Sequence, residues 1–271
     1  MLLTKLKTVK TVCCSPEVWA AQLTHAEESF GQVAERYIGG EIMHDIYGDQ
    51  IQRTEIVGDV AIIPVVGVLA TGLPSIAAAF GYVDPEDVGE DLDEAMANEA
   101  VKSIWLAIDS PGGMVTGIPE LAAKIAAMQA GGEKPVRVFA RDCYSAALWI
   151  AAGANAIVSL GSGGIGSVGC YTVLTDATGF LESMGLKLTR IASGVSKGLG
   201  ADGKVTEGMI AETQADVDAI ASEFKAFVKL YRPIDDEDMD GQCFSGKIGA
   251  AKGFCDGTAD SLEAAMKLFT K

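Results

Sequence analysis

Ser103-Ile-Trp-Leu-Ala-Ile-Asp-Ser-Pro-Gly-Gly113 is a short apolar run that breaks into a paired-glycine loop, and Gly117–Gln129 behind it has helical spacing. An apolar run of this length bounded by turn residues predicts a buried strand. Paired glycines after a strand let the backbone take positive φ and bring bare N–H groups close to a ligand. The same residues also serve a plain turn before a helix. Both readings stay open on these residues alone.

Outward from this unit the alternation continues. Val136–Ala140 predicts a strand and Ser145–Ala154 an apolar helix, while Ala156–Leu160 and Cys170–Leu174 are strand-like. Asp176–Met184 reads as helix, Leu186–Ile191 as strand, Thr206–Leu230 as a long amphipathic helix, and Ser261–Phe269 as a last helix. Upstream, Asp84-Pro85-Glu86 opens an acidic helix that runs to about Asn98, and Asp59–Leu69 predicts one buried strand or two, punctuated by Pro64 and Gly67. Strands alternating with helices point to parallel pairing with helical crossovers, an α/β fold. Ahead of it, Trp19, Leu23, Phe30, Val33 and Tyr37 repeat at helical spacing after a Ser15-Pro16-Glu17 start. We therefore expect an N-terminal helical extension over 1–56 and a main domain over 57–271.

Composition narrows the function. A net charge of −16 over 271 residues leaves no basic stripe to displace counterions from phosphates, which argues against a nucleic-acid partner. The longest apolar stretches, Val60–Ala70 and Ala146–Val158, fall short of a membrane span, and Lys5, Lys7 and Lys10 break up any leader-like apolar core. A cytoplasmic protein without a membrane anchor is the expectation. Six scattered cysteines contain no CxxC pair, so neither a metal site nor any cofactor is expected, and reduced thiols are the plain reading.

Two further loops sit where strands should end. Arg141-Asp-Cys-Tyr-Ser-Ala-Ala147 places Ser145 at a strand-to-helix junction. A helix N-terminus favours a developing anion, yet serine is equally a preferred N-cap. Ala192-Ser-Gly-Val-Ser-Lys-Gly-Leu-Gly200 holds Lys197 among small residues. A lone lysine is ordinarily solvated, but such neighbours would let one pack inward. The two histidines, His25 and His44, both precede residue 50 and none follows Ser145, which disfavours a Ser-His-Asp triad. If Ser145 is a nucleophile, a lysine is the natural base. Such a base works at neutral pH only when burial lowers its pKa from about 10.4 toward about 7–8.

Taken in order, Asp-Ser-Pro-Gly-Gly at 109–113, Tyr-Ser-Ala-Ala at 144–147, Gly-Ser-Val-Gly at 166–169, Ser-Gly-Val-Ser-Lys at 193–197 and the ending Gly249-Ala-Ala-Lys-Gly-Phe-Cys-Asp-Gly257 resemble the signal peptide peptidase A (protease IV) family. The resemblance covers about residues 57–269. It implies a Clp-protease/crotonase-like fold of stacked ββα units. Carried over by position, it makes Ser145 the nucleophile, Lys197 the general base and Ser167 the serine that hydrogen-bonds the lysine. The N–H groups of Gly113 and Ala146 become the oxyanion hole. Within the family the chain looks most similar to the peptidases of tailed-phage head modules. The resemblance thus implies a serine endopeptidase with a Ser-Lys dyad that processes scaffold or capsid protein as a homo-oligomer, in the host cytoplasm and in association with the prohead. Tyr-Ser-Ala-Ala replaces the glycine-richer nucleophile loop of cellular members, and Phe-Cys-Asp replaces Leu-Val-Asp. Two other readings share the fold: a crotonase-type acyl-CoA enzyme, for which the motif loops supply only Asp109 and Asp142 as carboxylates, and an inactive structural head protein.

Overall fold

In a computed structural model, residues 12–13, 54–73, 77 and 80–269 are described. The helix expected over 15–38, and most of the expected 1–56 extension, lies outside them.

The apolar runs become the parallel centre of one sheet. Strands β3 (Val60–Val66), β6 (Ser103–Ser110), β8 (Val136–Tyr144) and β9 (Ala156–Gly166) lie side by side in parallel register. Antiparallel β2 (Glu55–Val57) closes the β3 edge. On the far side β9 takes two partners: β10 (Cys243–Ser245), antiparallel, at its C-terminal end, and β11 (Gly257–Ala259), parallel, lower down. Four shorter strands form a second sheet in the order β1 (Val12–Cys13), β7 (Gly113–Met114), β4 (Val68–Leu69), β5 (Tyr82–Val83). Gly67 makes the break between the sheets: its φ is +114°, and a Cβ there would lie 2.2 Å from the Gly81 carbonyl oxygen, so of the one strand or two expected over Asp59–Leu69 there are two, β3 and β4.

The helices follow from their caps and stripes. Helix α1 (Pro85–Ala97) starts where the Asp84 carboxylate accepts from the Glu86 N–H, has Pro85 in its first turn, and buries Val88, Leu92 and Ala95 at i, i+4, i+7. Helix α2 (Ile118–Gly131) buries Ile118, Leu121, Ala122, Ile125 and Ala126. Helix α3 (Ala146–Ala152) is buried all round, and the long α5 (Glu207–Tyr231) packs on it through Phe224, whose ring stacks on Trp149 at 4.6 Å between centroids. Between these, α4 (Thr178–Ser183) is exposed. Helix α6 (Gly246–Ala251) follows β10, and α7 (Leu262–Lys267) covers Trp105, Phe139 and Val158 on the other face of the sheet. The main core lies between the sheet and α1, α2, α3 and α5.

The repeating unit is thus a strand in the large sheet, a short strand in the small sheet, then a helix. It occurs as β3–β4, with α1 following β5, and as β6–β7–α2, while β8 runs straight into α3. This is an α/β stacking of ββα units. Two expectations need correction. Cys170–Leu174 and Leu186–Ile191 form no strand element. A period-two pattern becomes a strand only beside a partner edge, and Leu186, Leu188 and Ile191 are exposed instead.

Candidate active site

Three parallel strands deliver the sequence motifs to one edge of the molecule. β6 ends at Ser110, opposite Cys143 of β8, and β8 ends at Tyr144, opposite Gly166 of β9. Ser145 and Ser167 each come one residue after that last pair. Neighbouring strands are spaced by roughly 4.8 Å, so the two serines emerge side by side at the carboxyl ends of the sheet, where open α/β sheets place their ligands. Both ladders slip just before this point, between Ile108 and Ser110 and between Ala140 and Asp142. Such bulges turn a strand end and re-aim the side chain that follows.

The backbone at both serines is unusual. Among the described residues they are the two non-glycine positions with positive φ, 54° at Ser145 and 58° at Ser167. A residue held there costs about 1–3 kcal/mol and persists only where its surroundings impose it. For Ser145 they do: its N–H donates to the Gly166 carbonyl at 2.9 Å, its own carbonyl accepts from Trp149 N–H at 3.0 Å, and the residue is 1% exposed. The N-cap alternative does not hold. Thr206, Ser245 and Ser261 cap their helices from extended backbone with a side-chain oxygen on an N–H, whereas Ser145 stands at the head of α3 and makes no such bond. Its hydroxyl is left over from helix chemistry. The turn is of the strained strand-to-helix kind that presents a nucleophile in hydrolases.

Ser167 is half-buried. Its N–H donates to the Gln242 carbonyl at 2.6 Å, and its hydroxyl bonds the Cys243 thiol. Partial burial pushes that thiol up, and the Ser167 hydrogen bond pulls it back. Tyr144 is stacked over the β9 backbone, so close that a Cβ on Gly164 would lie 1.5 Å from its hydroxyl oxygen. Burial and the neighbouring Asp142 raise its phenol to about 12, so it stays protonated. Cys143 is fully buried and its thiol is pushed far up by burial, which makes it inert.

Gly113 opens β7, directly under this edge, and α3 packs on that strand. A Cβ at Gly113 would stand 1.9 Å from the Leu69 carbonyl oxygen, so no other residue fits, and Gly112 is fixed by its N–H to the Ser110 hydroxyl at 3.2 Å. Ala146, first residue of α3, has an N–H with no helical carbonyl ahead of it. These are the two expected oxyanion donors, placed by β6–β7 and by α3.

Lys197 is a different case. It lies in the turn region after α4, exposed, with its carbonyl accepting from Arg190 at 2.8 Å. Among the described residues no hydrogen bond joins it to Ser145 or Ser167. The surrounding segment carries large exposed apolar side chains, with Ile191 95% and Val195 85% exposed. Asp109 and Asp142 are both engaged elsewhere: Asp109 stands 3.6 Å from Arg141, and Asp142 accepts from the Gly164 N–H at 2.9 Å. Asp109 is half-buried beside a hollow of about 60 Å³ that it shares with Val66 and Phe139, and burial raises its carboxyl. No cluster of His, Cys, Asp and Glu among the described residues could hold a metal ion, and no helix there is long and apolar enough to cross a membrane.

A group invisible to motif reading fixes the site from behind. Arg232, 6% exposed, donates to the Ala152 and Ala154 carbonyls at the C-terminal end of α3 (3.0 and 2.7 Å) and to Asp256 at 2.8 Å. Asp256 in turn accepts from Ile157 N–H at the start of β9. The Phe-Cys-Asp-Gly ending therefore clamps the far end of the helix that Ser145 heads.

A parallel α/β sheet whose strand ends hold a strained, uncapped serine beside rigid glycines has the layout of a nucleophilic hydrolase. The chain belongs to peptidase family S49, matched over residues 129–270, just over half of its length and a span that includes Ser145, Ser167 and Lys197. It is similar to head-tail preconnector protein GP5 of Enterobacteria phage P21, 28% identical with 79% of this chain and 44% of that protein covered. It is also similar to protease 4 of Salmonella typhi (29%; 74% and 34% covered) and to capsid assembly protease C of Escherichia phage lambda (26%; 79% and 50%). The chain thus spans half the length of these relatives or less. Among solved structures, the 1510-N membrane protease specific for a stomatin homolog from Pyrococcus horikoshii matches with a TM-score of 0.41 at 14% identity, covering 79% of each chain. An enoyl-CoA hydratase from Shewanella pealeana matches with 0.44 at 11%, covering 81% and 73%.

Proposed function

We propose that the protein is a serine endopeptidase in which Ser145 is the nucleophile and Lys197 the base, acting on scaffold or capsid protein during phage head maturation. The observation that carries this reading is Ser145 itself: a family S49 serine held at positive φ, one residue past its strand, with its hydroxyl unspent on capping. Two of the three named relatives are phage proteins whose names refer to head or capsid assembly, which favours that substrate class. In the step proposed, the Ser145 proton passes to an uncharged lysine amine as Oγ attacks the peptide carbonyl. The resulting oxyanion is held by the Gly113 and Ala146 N–H groups, each worth about 10²–10³ in rate. The carbon–nitrogen bond then breaks as the Lys197 ammonium gives its proton to the leaving amine, and the Lys197 amine, neutral again, takes a proton from the water that hydrolyses the acyl-enzyme.

To serve as base the amine has to be uncharged, which calls for surroundings from which water is excluded. The apolar patch around Lys197 supports a homo-oligomer in which a second copy covers the segment after α4 and makes the lysine's surroundings dry. The division proposed for the chain remains an N-terminal extension over 1–56 and a peptidase domain over 57–271. The acyl-CoA reading is weakened because Asp109 and Asp142 both already have protein partners. Mass spectrometry of head proteins co-expressed with the chain tests the proposal. Defined cleavage products that disappear with Ser145→Ala are expected, and cleavage that persists would overturn it. Lys197→Ala should stop turnover in a chain that is still folded. A Ser145→Ala chain that binds head protein, beside a wild type that never cuts it, would favour the structural reading.

A further inference from the structure

Strand β7 has a neighbour on each side. β4 runs along one, with Leu69 level with Gly113, and β1 runs antiparallel along the other, with Cys13 opposite Gly113 and Val12 opposite Met114. On the β4 side the fit is so close that a Cβ at Gly113 would strike the Leu69 carbonyl, so nothing further can enter there. The other side is the outer edge of the small sheet, and among the described residues β1 is the last strand on it. Without β1, β7 would present unpaired N–H and C=O groups beginning at the glycine assigned to the oxyanion hole. An extended polypeptide takes such an edge by adding a strand. Ser145, meanwhile, is 1% exposed, and a hydroxyl closed to solvent meets a polypeptide only when a neighbouring segment moves aside.

We propose that Val12–Cys13 is a built-in occupant of the substrate-docking edge: the chain's own N-terminal strand lies where an extended protein substrate must pair with Gly113–Met114, and substrate gains the site by displacing it. This rests on the peptidase reading above. A two-residue ladder is a weak hold, so the occupant is displaceable rather than a permanent block. Its effect is competitive. The apparent dissociation constant is the intrinsic one divided by the fraction of molecules in which the edge is open, so an edge that is open in about a tenth to a third of molecules raises KM about three- to tenfold and leaves kcat alone.

The test is the double variant Val12→Pro/Cys13→Pro in the full chain. Proline removes the N–H groups that a ladder needs, and neither residue belongs to the proposed catalytic group. Two quantities are read: KM and kcat on a protein substrate, and amide exchange across Gly113–Met114 in a Ser145→Ala background. KM lower by about three- to tenfold at constant kcat, together with faster exchange at Gly113–Met114, is the expected result. Exchange unchanged by the prolines overturns the inference whatever the activity. Faster exchange with an unchanged KM also overturns it, because the strand would then cover an edge that substrate does not use. If neither chain cuts any protein, it is the peptidase reading that fails, and exchange still decides whether β1 covers this edge.

Discussion

Ser145 and Ser167 sit in backbone conformations that suit glycine better than serine, and that mismatch can be measured. Ser145→Gly is expected to abolish cleavage while raising stability by about 1 kcal/mol, the strain relieved less the entropy that glycine adds. The urea midpoint checks it, and a fall in stability would show that the serine is well housed. Gly113→Ala has the opposite character: its methyl has nowhere to go but the Leu69 carbonyl. We expect a loss of about 1–3 kcal/mol from the forced displacement and a larger proportional loss in kcat, read by parallel denaturation and kinetics. Cys243, exposed and bonded to Ser167, should be alkylated by iodoacetamide in the native protein, whereas Cys143 should react only after unfolding. Because partial burial raises the Cys243 thiol, its thiolate forms at higher pH than that of a free cysteine. The midpoint of the labelling rate against pH should therefore lie above the ordinary thiol value of about 8.5, and a midpoint at or below that value would contradict this. Alkylation should also slow cleavage, since the adduct crowds Ser167.

At the scale of elements, the parts of the fold with local punctuation were readable. Asp84-Pro85, Thr206 and Ser261 start their helices as their residue types suggest, because a cap is a bond within four residues. Strands β6, β8 and β9 were placed correctly but ended too early, since their last residues trade apolar patterning for glycine, serine and charge. Residues 186–191 misled because alternation says nothing about whether an edge is available. For Ser145, the choice between cap and nucleophile is made by φ and by a bond that is absent, and neither is written in the residue type. Arg232 was illegible for a similar reason. Its acceptors are carbonyls about 80 residues away, and a carbonyl has no sequence signature. Removing it should matter: Arg232→Ala leaves Asp256 and two carbonyls at the end of α3 short of their donor. A loss of about 2–4 kcal/mol is expected in chemical denaturation, with Asp256→Asn costing less because Asp256 is half exposed.

For the whole molecule, many of the exposed apolar side chains belong to the segment around Lys197, with Leu186, Leu188, Ile191 and Val195 among them. Ile191→Glu together with Val195→Glu should therefore reduce both oligomer mass in light scattering and cleavage rate. A monomer as active as wild type would remove the second copy from the proposed mechanism. One more consequence lies in strand β9. It touches β8 early in the chain but receives β10 and β11 from residues 243–259, and Ser167 is anchored by Gln242 and Cys243. A polypeptide still emerging from the ribosome has made Ser145 long before it has made the residues that hold the neighbouring Ser167 in place. The blade is forged early and the handle late, so on the proposed reading a nascent chain is harmless to the proteins around it until residues 242–243 have been translated.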